Sequence, residues 1–183
     1  MIYSENLVGL EQYDDLPVEE TMDFGLTEVS SAELVQFEKY KKQPIGPWRL
    51  RKTKVKGWDV VTDVDIPKHA LICEYVGDVF SDRELLTQPE LAFHNDSIMD
   101  LRVGISADET LAIVPHCHTN IARFINGVKH SKNANLQSLK VRIKGRPAVL
   151  LQAKRYIKKH ESLTYDYNAG TVTKGFDTSY FKD

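Results

Sequence analysis

Leu163-Thr164-Tyr165-Asp166-Tyr167-Asn168, preceded in the chain by Arg123-Phe124-Ile125-Asn126, is the stretch on which the reading of this sequence turns. Alone, each segment is a plausible piece of core, the second being a strand end with two aromatics and a capping Asn. Their order matters more than either one, because both follow a Glu74-Tyr75-Val76-Gly77-Asp78 segment.

The chain around them has 183 residues, enough for one compact catalytic domain with an extension and too few for two independent enzymes. No apolar run reaches the length that spans a bilayer, and Met1 to Gly9 lacks the basic and apolar blocks of a signal peptide. A soluble, intracellular protein is expected. Cys73 and Cys117 have no Cys-x-x-Cys partner, so both are expected to be buried, reduced thiols. His116-Cys117-His118 has the density of a metal site, yet neighbours on a strand point to opposite faces and no second pair matches them. No metal is expected.

Charge is unevenly spread. Residues 1–38 hold ten of the twenty-six Asp and Glu, while all twenty-four Lys and Arg lie after them. The later part is therefore basic, which suits a polyanionic setting and weak DNA contact, or equally an ordinary solvated surface.

Residues 1–27 are acidic and weakly patterned, compatible with a disordered arm or one that docks. Ser30 and Glu33 have capping-box spacing, and Leu34, Phe37 and Tyr40 predict a short amphipathic helix ended by Pro44, Gly46 and Pro47. Beyond Trp48, Val60-Val61, Leu71–Val76, Leu111–Val114 and Ala148–Leu151 read as short strands. Lys144-Gly145-Arg146-Pro147 reads as the turn of a hairpin joining Leu139–Ile143 to Ala148–Ala153. The fold class is mostly β with short helices, in several small sheets. No internal repeat is visible.

Taken in order, Lys56-Gly57-Trp58, Glu74–Asp78, Arg123–Asn126 and Leu163–Asn168 resemble the SET-domain protein lysine methyltransferases over roughly residues 48–181. The longer string Asn120-Ile121-Ala122-Arg123-Phe124-Ile125-Asn126-Gly127 is similar to the plant Trithorax-related enzymes that monomethylate lysine 27 of histone H3. The resemblance implies a C-terminal pseudoknot, an exception to the avoidance of threaded chains. It implies S-adenosyl-L-methionine as methyl donor, the histone H3 tail or nucleosome as partner, and the nucleus as location. It divides the chain into an acidic extension (1–47), a catalytic domain (48–168) and a cysteine-free aromatic tail (169–183).

The same resemblance assigns residues. Lys56, Gly57, Trp58, Arg123, Phe124, Asn126 and Tyr167 are the expected cofactor contacts, and Gly57 lets main chain approach a ligand closely. Tyr75, Tyr165 and Tyr167 are the expected catalytic residues. Tyr75 would line the lysine channel, Tyr167 would orient the amine or the methyl, and the Tyr165 hydroxyl would limit the product to monomethyl-lysine. Ser97 and Met99 in Asn95–Leu101, with Phe176 and Tyr180 of the tail, are the expected substrate contacts. Burial of the substrate lysine would lower its pKa so that the neutral amine attacks the methyl in line.

The sequence departs from the family pattern at three places. Asp59 replaces a usual second glycine, His69 replaces a glycine, and Gly127 replaces the histidine that commonly follows the motif asparagine. The family's cysteine cluster after the motif is absent. Two alternatives stay open: a methyltransferase for another lysine, such as lysine 20 of histone H4 or one on a non-histone protein, and a non-catalytic SET module that binds peptide.

Overall fold

The computed structural model describes residues 26–42, 46–88, 97–101, 111–128 and 130–167. The tail with Phe176 and Tyr180, together with Asn168, lies outside the described residues. Eleven short strands and two helices appear among the described ones: β1 (Thr27–Glu28), α1 (Ser31–Lys42), β2 (Trp48–Lys52), β3 (Trp58–Thr62), β4 (Leu71–Glu74), β5 (Asp78–Ser81), α2 (Asp82–Thr87), β6 (Met99–Asp100), β7 (Leu111–Val114), β8 (Asn126–Gly127), β9 (Leu136–Ile143), β10 (Arg146–Ala153) and β11 (Thr164–Tyr165). They form four small sheets in the orders β1-β9-β10-β4, β2-β3, β5-β7-β6 and β8-β11. Two short 3₁₀ turns, Ile121–Phe124 and Ser131–Asn133, flank β8.

The expected first helix forms for the expected reason. The Glu33 backbone N–H donates to Ser30 Oγ at 3.3 Å and the Ser30 N–H donates to Glu33 Oε2 at 3.1 Å, satisfying orphan donors reciprocally. Its apolar stripe buries Phe37, flanked by Leu34 and Tyr40, on Val141, Ile143, Ala148 and Leu150 of the four-stranded sheet. Gln36 Oε1 accepts from the Leu71 N–H at 2.8 Å, so the helix is also bonded to the start of β4. The acidic extension thus contributes a packed helix and, through β1, a parallel strand paired with β9. A second capping box, Ser81 with Glu84, starts α2, a helix whose Ser-x-x-Glu spacing is present in the sequence but is not among the expected elements.

The hairpin is tighter than expected. Lys144 and Gly145 alone make the turn, with φ of 51° and 82°, and pairing resumes at once with Arg146 opposite Ile143. Two positive φ values match the right-handed twist of the flanking strands. Pro147 is tolerated inside β10 because β4 joins that strand only from Leu150 onward, so no ladder on that side needs the missing N–H. Further along, Leu151 faces Cys73 while Gln152 faces Leu71, a bulge that leaves Ile72 as the extra residue.

A local two-fold arrangement, matched by the Ile-x-Lys-His strings Ile66–His69 and Ile157–His160, ties the middle of the chain to its end. Ile66 and Ile157 exchange backbone hydrogen bonds at 2.8 and 2.9 Å. His69 N–H donates to Ala153 O at 2.8 Å while His160 N–H donates to Thr62 O at 2.7 Å. Both histidines sit at the left-handed position of a tight turn, with φ of 67° and 69°. The main apolar cluster takes in Ile66 and Ile157 of this arrangement together with Val60, Ile72, Tyr75, Leu101, Ile125, Leu163 and Tyr165.

One expectation about cysteine fails. Cys73 is buried, but Cys117 is exposed beside His116, whose Nδ1 lies 3.1 Å from its sulfur. The segment following β7 is a bend rather than a strand, so alternation of faces does not govern it. His118 turns instead to Asp78, with Nδ1 and Oδ1 2.7 Å apart. Among the described residues no helix is long and apolar enough to cross a membrane.

Candidate active site

Parallel pairing of β11 with β8 places Thr164 opposite Asn126 and Tyr165 opposite Gly127, which brings the two decisive segments side by side. The Val128 N–H donates to Tyr165 O at 3.0 Å and the Leu163 N–H to Val60 O at 2.8 Å, so β11 is held between β8 and β3. Asn135 secures the approach. Its side chain donates to Ser162 O at 2.7 Å and accepts from Thr164 N–H at 2.8 Å, and with only 1% of its surface exposed these bonds meet little competition from water.

Three tyrosines converge. The rings of Tyr165 and Tyr167 are 4.6 Å apart and tilted by 57°; those of Tyr75 and Tyr165 are 6.3 Å apart and near edge-to-face at 67°. Tyr167 donates its hydroxyl hydrogen to Ile125 O at 2.9 Å, and Tyr75 donates to Ser97 O at 2.5 Å. Burial, reinforced by the neighbouring phenols of Tyr75 and Tyr167, pushes the Tyr165 hydroxyl well above the ordinary tyrosine range. It stays neutral at any physiological pH.

Because Tyr75 gives its hydrogen to a carbonyl, its oxygen can serve any other partner only as an acceptor. Ser97 enters the site through its carbonyl, while Met99 is buried in the main apolar cluster alongside Ile113.

The asparagine segment begins with a cap. Asn120 Oδ1 accepts from Ala122 N–H at 3.1 Å, starting the 3₁₀ turn that carries Arg123 and Phe124, and its Nδ2 donates to Glu74 O at 2.8 Å and Tyr40 Oη at 3.3 Å. Phe124 packs partly buried against the main cluster, and Arg123 is half-buried. Asn126 then donates its Nδ2 to Trp58 O at 2.9 Å. Trp58 keeps 47% of its surface exposed beside this asparagine, and Lys56 and Gly57, with φ of 69°, form the exposed turn before it.

Asp59 is buried at 5% exposure and neutralised in place: Oδ2 accepts from Arg51 Nη2 at 2.6 Å and from Ser162 Oγ at 2.7 Å. Sequence reasoning missed Arg51, Asn120, Asn135 and Ser162. Asn120 lay within a motif string, but nothing local to Asn135, Arg51 or Ser162 signals the distant partners each one serves.

The geometry has independent relatives. Residues 57–168 match the SET domain model. The chain is 40% identical over 118 residues to the Arabidopsis thaliana histone-lysine N-methyltransferase ATXR6, covering 62% of this chain and 33% of that protein. It is 38% identical over 134 residues to ATXR5 of the same plant, covering 70% and 34%. The crystal structure of ATXR5 in complex with histone H3.1 mono-methylated on R26 superposes with a TM-score of 0.67 at 29% identity, over 85% of this chain and 72% of that one. The chain spans about a third of the length of these curated relatives. A SET-domain match over most of the described body, together with the strand pairing that joins its two motifs, places the chain in the SET-domain family and beside its plant Trithorax-related members.

Proposed function

We propose that this chain is a nuclear protein-lysine methyltransferase that uses S-adenosyl-L-methionine to monomethylate lysine 27 in the tail of histone H3. The observation that carries the reading is the cluster of Tyr75, Tyr165 and Tyr167 set against Asn126 by the β8–β11 pairing. Likeness to a plant relative solved with histone H3 supports the choice of partner. Residues 48–168 are the catalytic unit of this reading, 1–47 its extension and 169–183 the tail whose Phe176 and Tyr180 would close the channel.

The residues present suit the donor. Trp58 offers an exposed aromatic face, Gly57 leaves its turn without a side chain to obstruct a ligand, and Asn126 lies between that turn and the tyrosines. When bound, S-adenosylmethionine supplies an electrophilic methyl on a sulfonium. The chain's own work is to dehydrate, align and restrict the lysine.

Tyr75 and Tyr165, both nearly fully buried, would form aromatic walls that disfavour the ammonium form, so the lysine releases its proton to solvent and the amine approaches neutral. With its hydrogen committed to Ile125 O, Tyr167 meets any further partner through lone pairs, the right polarity for an amine N–H or a polarised methyl C–H. Tyr165, beside the acceptor oxygen of Tyr75, would be in the same state. An acceptor held this firmly would keep an N–H pointing at it, leaving a methylated amine unable to turn for a second attack. In this reading Arg123, Phe124 and Lys56 would flank the cofactor side, and Ser97, with Met99 buried beneath it, would border the peptide side.

The test is a methylation assay on intact nucleosomes, with products read by mass spectrometry and a panel of histone lysines replaced one at a time by arginine. Monomethyl product that vanishes with arginine at position 27 is expected, as is near-complete loss in Tyr167→Phe. Mainly trimethyl product would refute the role given to Tyr165, and unchanged activity in Tyr167→Phe would refute the site.

A further inference from the structure

We propose that Asp59 is a positioning residue that, together with Trp58 O, sets which end of the Asn126 amide faces the cofactor. An asparagine amide has a donor end and an acceptor end of nearly equal size, so its neighbours decide its orientation. Asn126 has two inward neighbours, Trp58 O at 2.9 Å and Asp59 Oδ1 at 3.5 Å, and both are pure acceptors. Nδ2 must point inward and Oδ1 outward. The longer contact is weak as a hydrogen bond, yet an amide turned the other way would set its oxygen against a carbonyl and a carboxylate together.

Asp59 is itself held. Arg51 and Ser162 both donate to Oδ2, which fixes the carboxylate plane and keeps Oδ1 toward Asn126. Arg51 also donates to Ser162 Oγ at 2.9 Å, so β2, β3 and the residue leading into β11 meet in one polar cluster behind the motif asparagine. The consequence is an outward amide oxygen, a site for an N–H donor on the ligand. Two parts of S-adenosylmethionine carry such a donor, the exocyclic amine of the adenine and the ammonium of the amino-acid portion.

Substitution of Asp59 by Asn reverses the logic. Arg51, a pure donor, would claim the single oxygen of the introduced amide, turning that amide's NH₂ toward Asn126 and forcing the Asn126 side chain to compromise. Asp59→Gly, smaller and less conservative, leaves Trp58 O to orient Asn126 unopposed. The polarity argument therefore ranks Asp59→Asn as the worse binder, whereas a merely structural role ranks Asp59→Gly as worse.

The inference rests on the cofactor reading above, and titration calorimetry with S-adenosylhomocysteine, alongside thermal unfolding of each variant, separates the two. Asp59→Asn is expected to weaken binding about tenfold, with Asp59→Gly affected less. Equal binding by wild type and Asp59→Asn, or weaker binding by Asp59→Gly than by Asp59→Asn, overturns the positioning role. A wild-type protein that binds no S-adenosylhomocysteine overturns the cofactor reading and this inference with it. Repeating the comparison with 5′-methylthioadenosine and with S-inosylhomocysteine assigns the donor: dependence on Asp59 disappears with the probe that lacks it, and dependence surviving in both probes overturns the proposed contact.

Discussion

The ring of Tyr167 lies on the backbone of Gly127: a Cβ built on that glycine would come within 2.7 Å of the tyrosine's ring carbons. This is closer than real Cβ atoms approach, so a side chain and the observed ring position exclude one another. The glycine that replaces the family's usual histidine is thus the residue that makes room for the proposed orienting tyrosine.

Gly127→Ala should therefore displace Tyr167, loosen its bond to Ile125 O and cut methyl transfer by more than about tenfold, with a stability loss of about 1–3 kcal/mol from overpacking. Steady-state methylation together with denaturant unfolding checks this. Activity at the parent level would show that Tyr167 tolerates another position.

How legible this was depended on whether a signal was local. The capping box at Ser30, the β strands with their branched apolar runs, and the two motif segments were all readable because each carries its cause within a few residues. The Gly127–Tyr167 contact spans 40 positions and only exists once β8 and β11 pair. Asp59 was visible as an oddity, but its meaning needed Arg51 from the neighbouring strand and Ser162 from the far end of the chain. The exposed Cys117 was misjudged for the converse reason, since average burial of a residue type says nothing about a bend after a strand.

Asn120 joins three pieces of the molecule through one side chain: the 3₁₀ turn of the cofactor segment, Glu74 O in β4, and Tyr40 in the helix that precedes the family-matched region. Asn120→Ala should cost about 2–3 kcal/mol, combining a lost cap with a carbonyl left short of a partner, and should weaken S-adenosylhomocysteine binding as the turn frays. Tyr40→Phe removes the long hydrogen bond from Asn120 and should cost less than Asn120→Ala. Unfolding of both variants by denaturant, with calorimetry at a temperature where each is folded, measures the two effects. A Tyr40→Phe loss as large as that of Asn120→Ala would place the weight on the helix rather than on the cap.

His69 and His160 occupy equivalent left-handed turn positions in the local two-fold arrangement, and neither has a glycine's freedom there. Left-handed backbone costs an ordinary residue about 1–2 kcal/mol, against roughly 0.5–1 kcal/mol of extra unfolded-state entropy when glycine replaces it. Each of His69→Gly and His160→Gly is expected to stabilise the protein by about 0.5–1 kcal/mol, read as a rise in the denaturant midpoint. A fall in midpoint for His160→Gly alone would point to its side chain, whose Nδ1 is 3.8 Å from Asp63 Oδ1, as a compensating ion pair.

Glu74 gives the chain a pH dependence whose sign is opposite to that of most carboxylates. Its strand partner is Leu150, so its carboxyl lies on the face of the sheet covered by α1, where burial pushes it up to about 7 against the opposing pull of Arg146 and Lys41. A carboxyl that is harder to ionise folded than unfolded holds its proton more tightly in the folded state. Its contribution is fully present below about pH 4.5 and is lost as pH rises through 7, by about 2–3 kcal/mol. Glu161, lowered chiefly by its hydrogen bond from Arg155, works in the other direction and loses stability as pH falls, so total stability alone does not isolate Glu74. The difference between wild type and Glu74→Gln does, because glutamine keeps the shape of the protonated acid and removes the titration. Denaturant unfolding from pH 4.5 to 8 should find the two proteins nearly equal at the acid end and Glu74→Gln the more stable at the alkaline end. A difference that does not change with pH would mean that Glu74 ionises in the folded protein as freely as in the unfolded chain, and that the sheet beneath α1 admits enough water to solvate it.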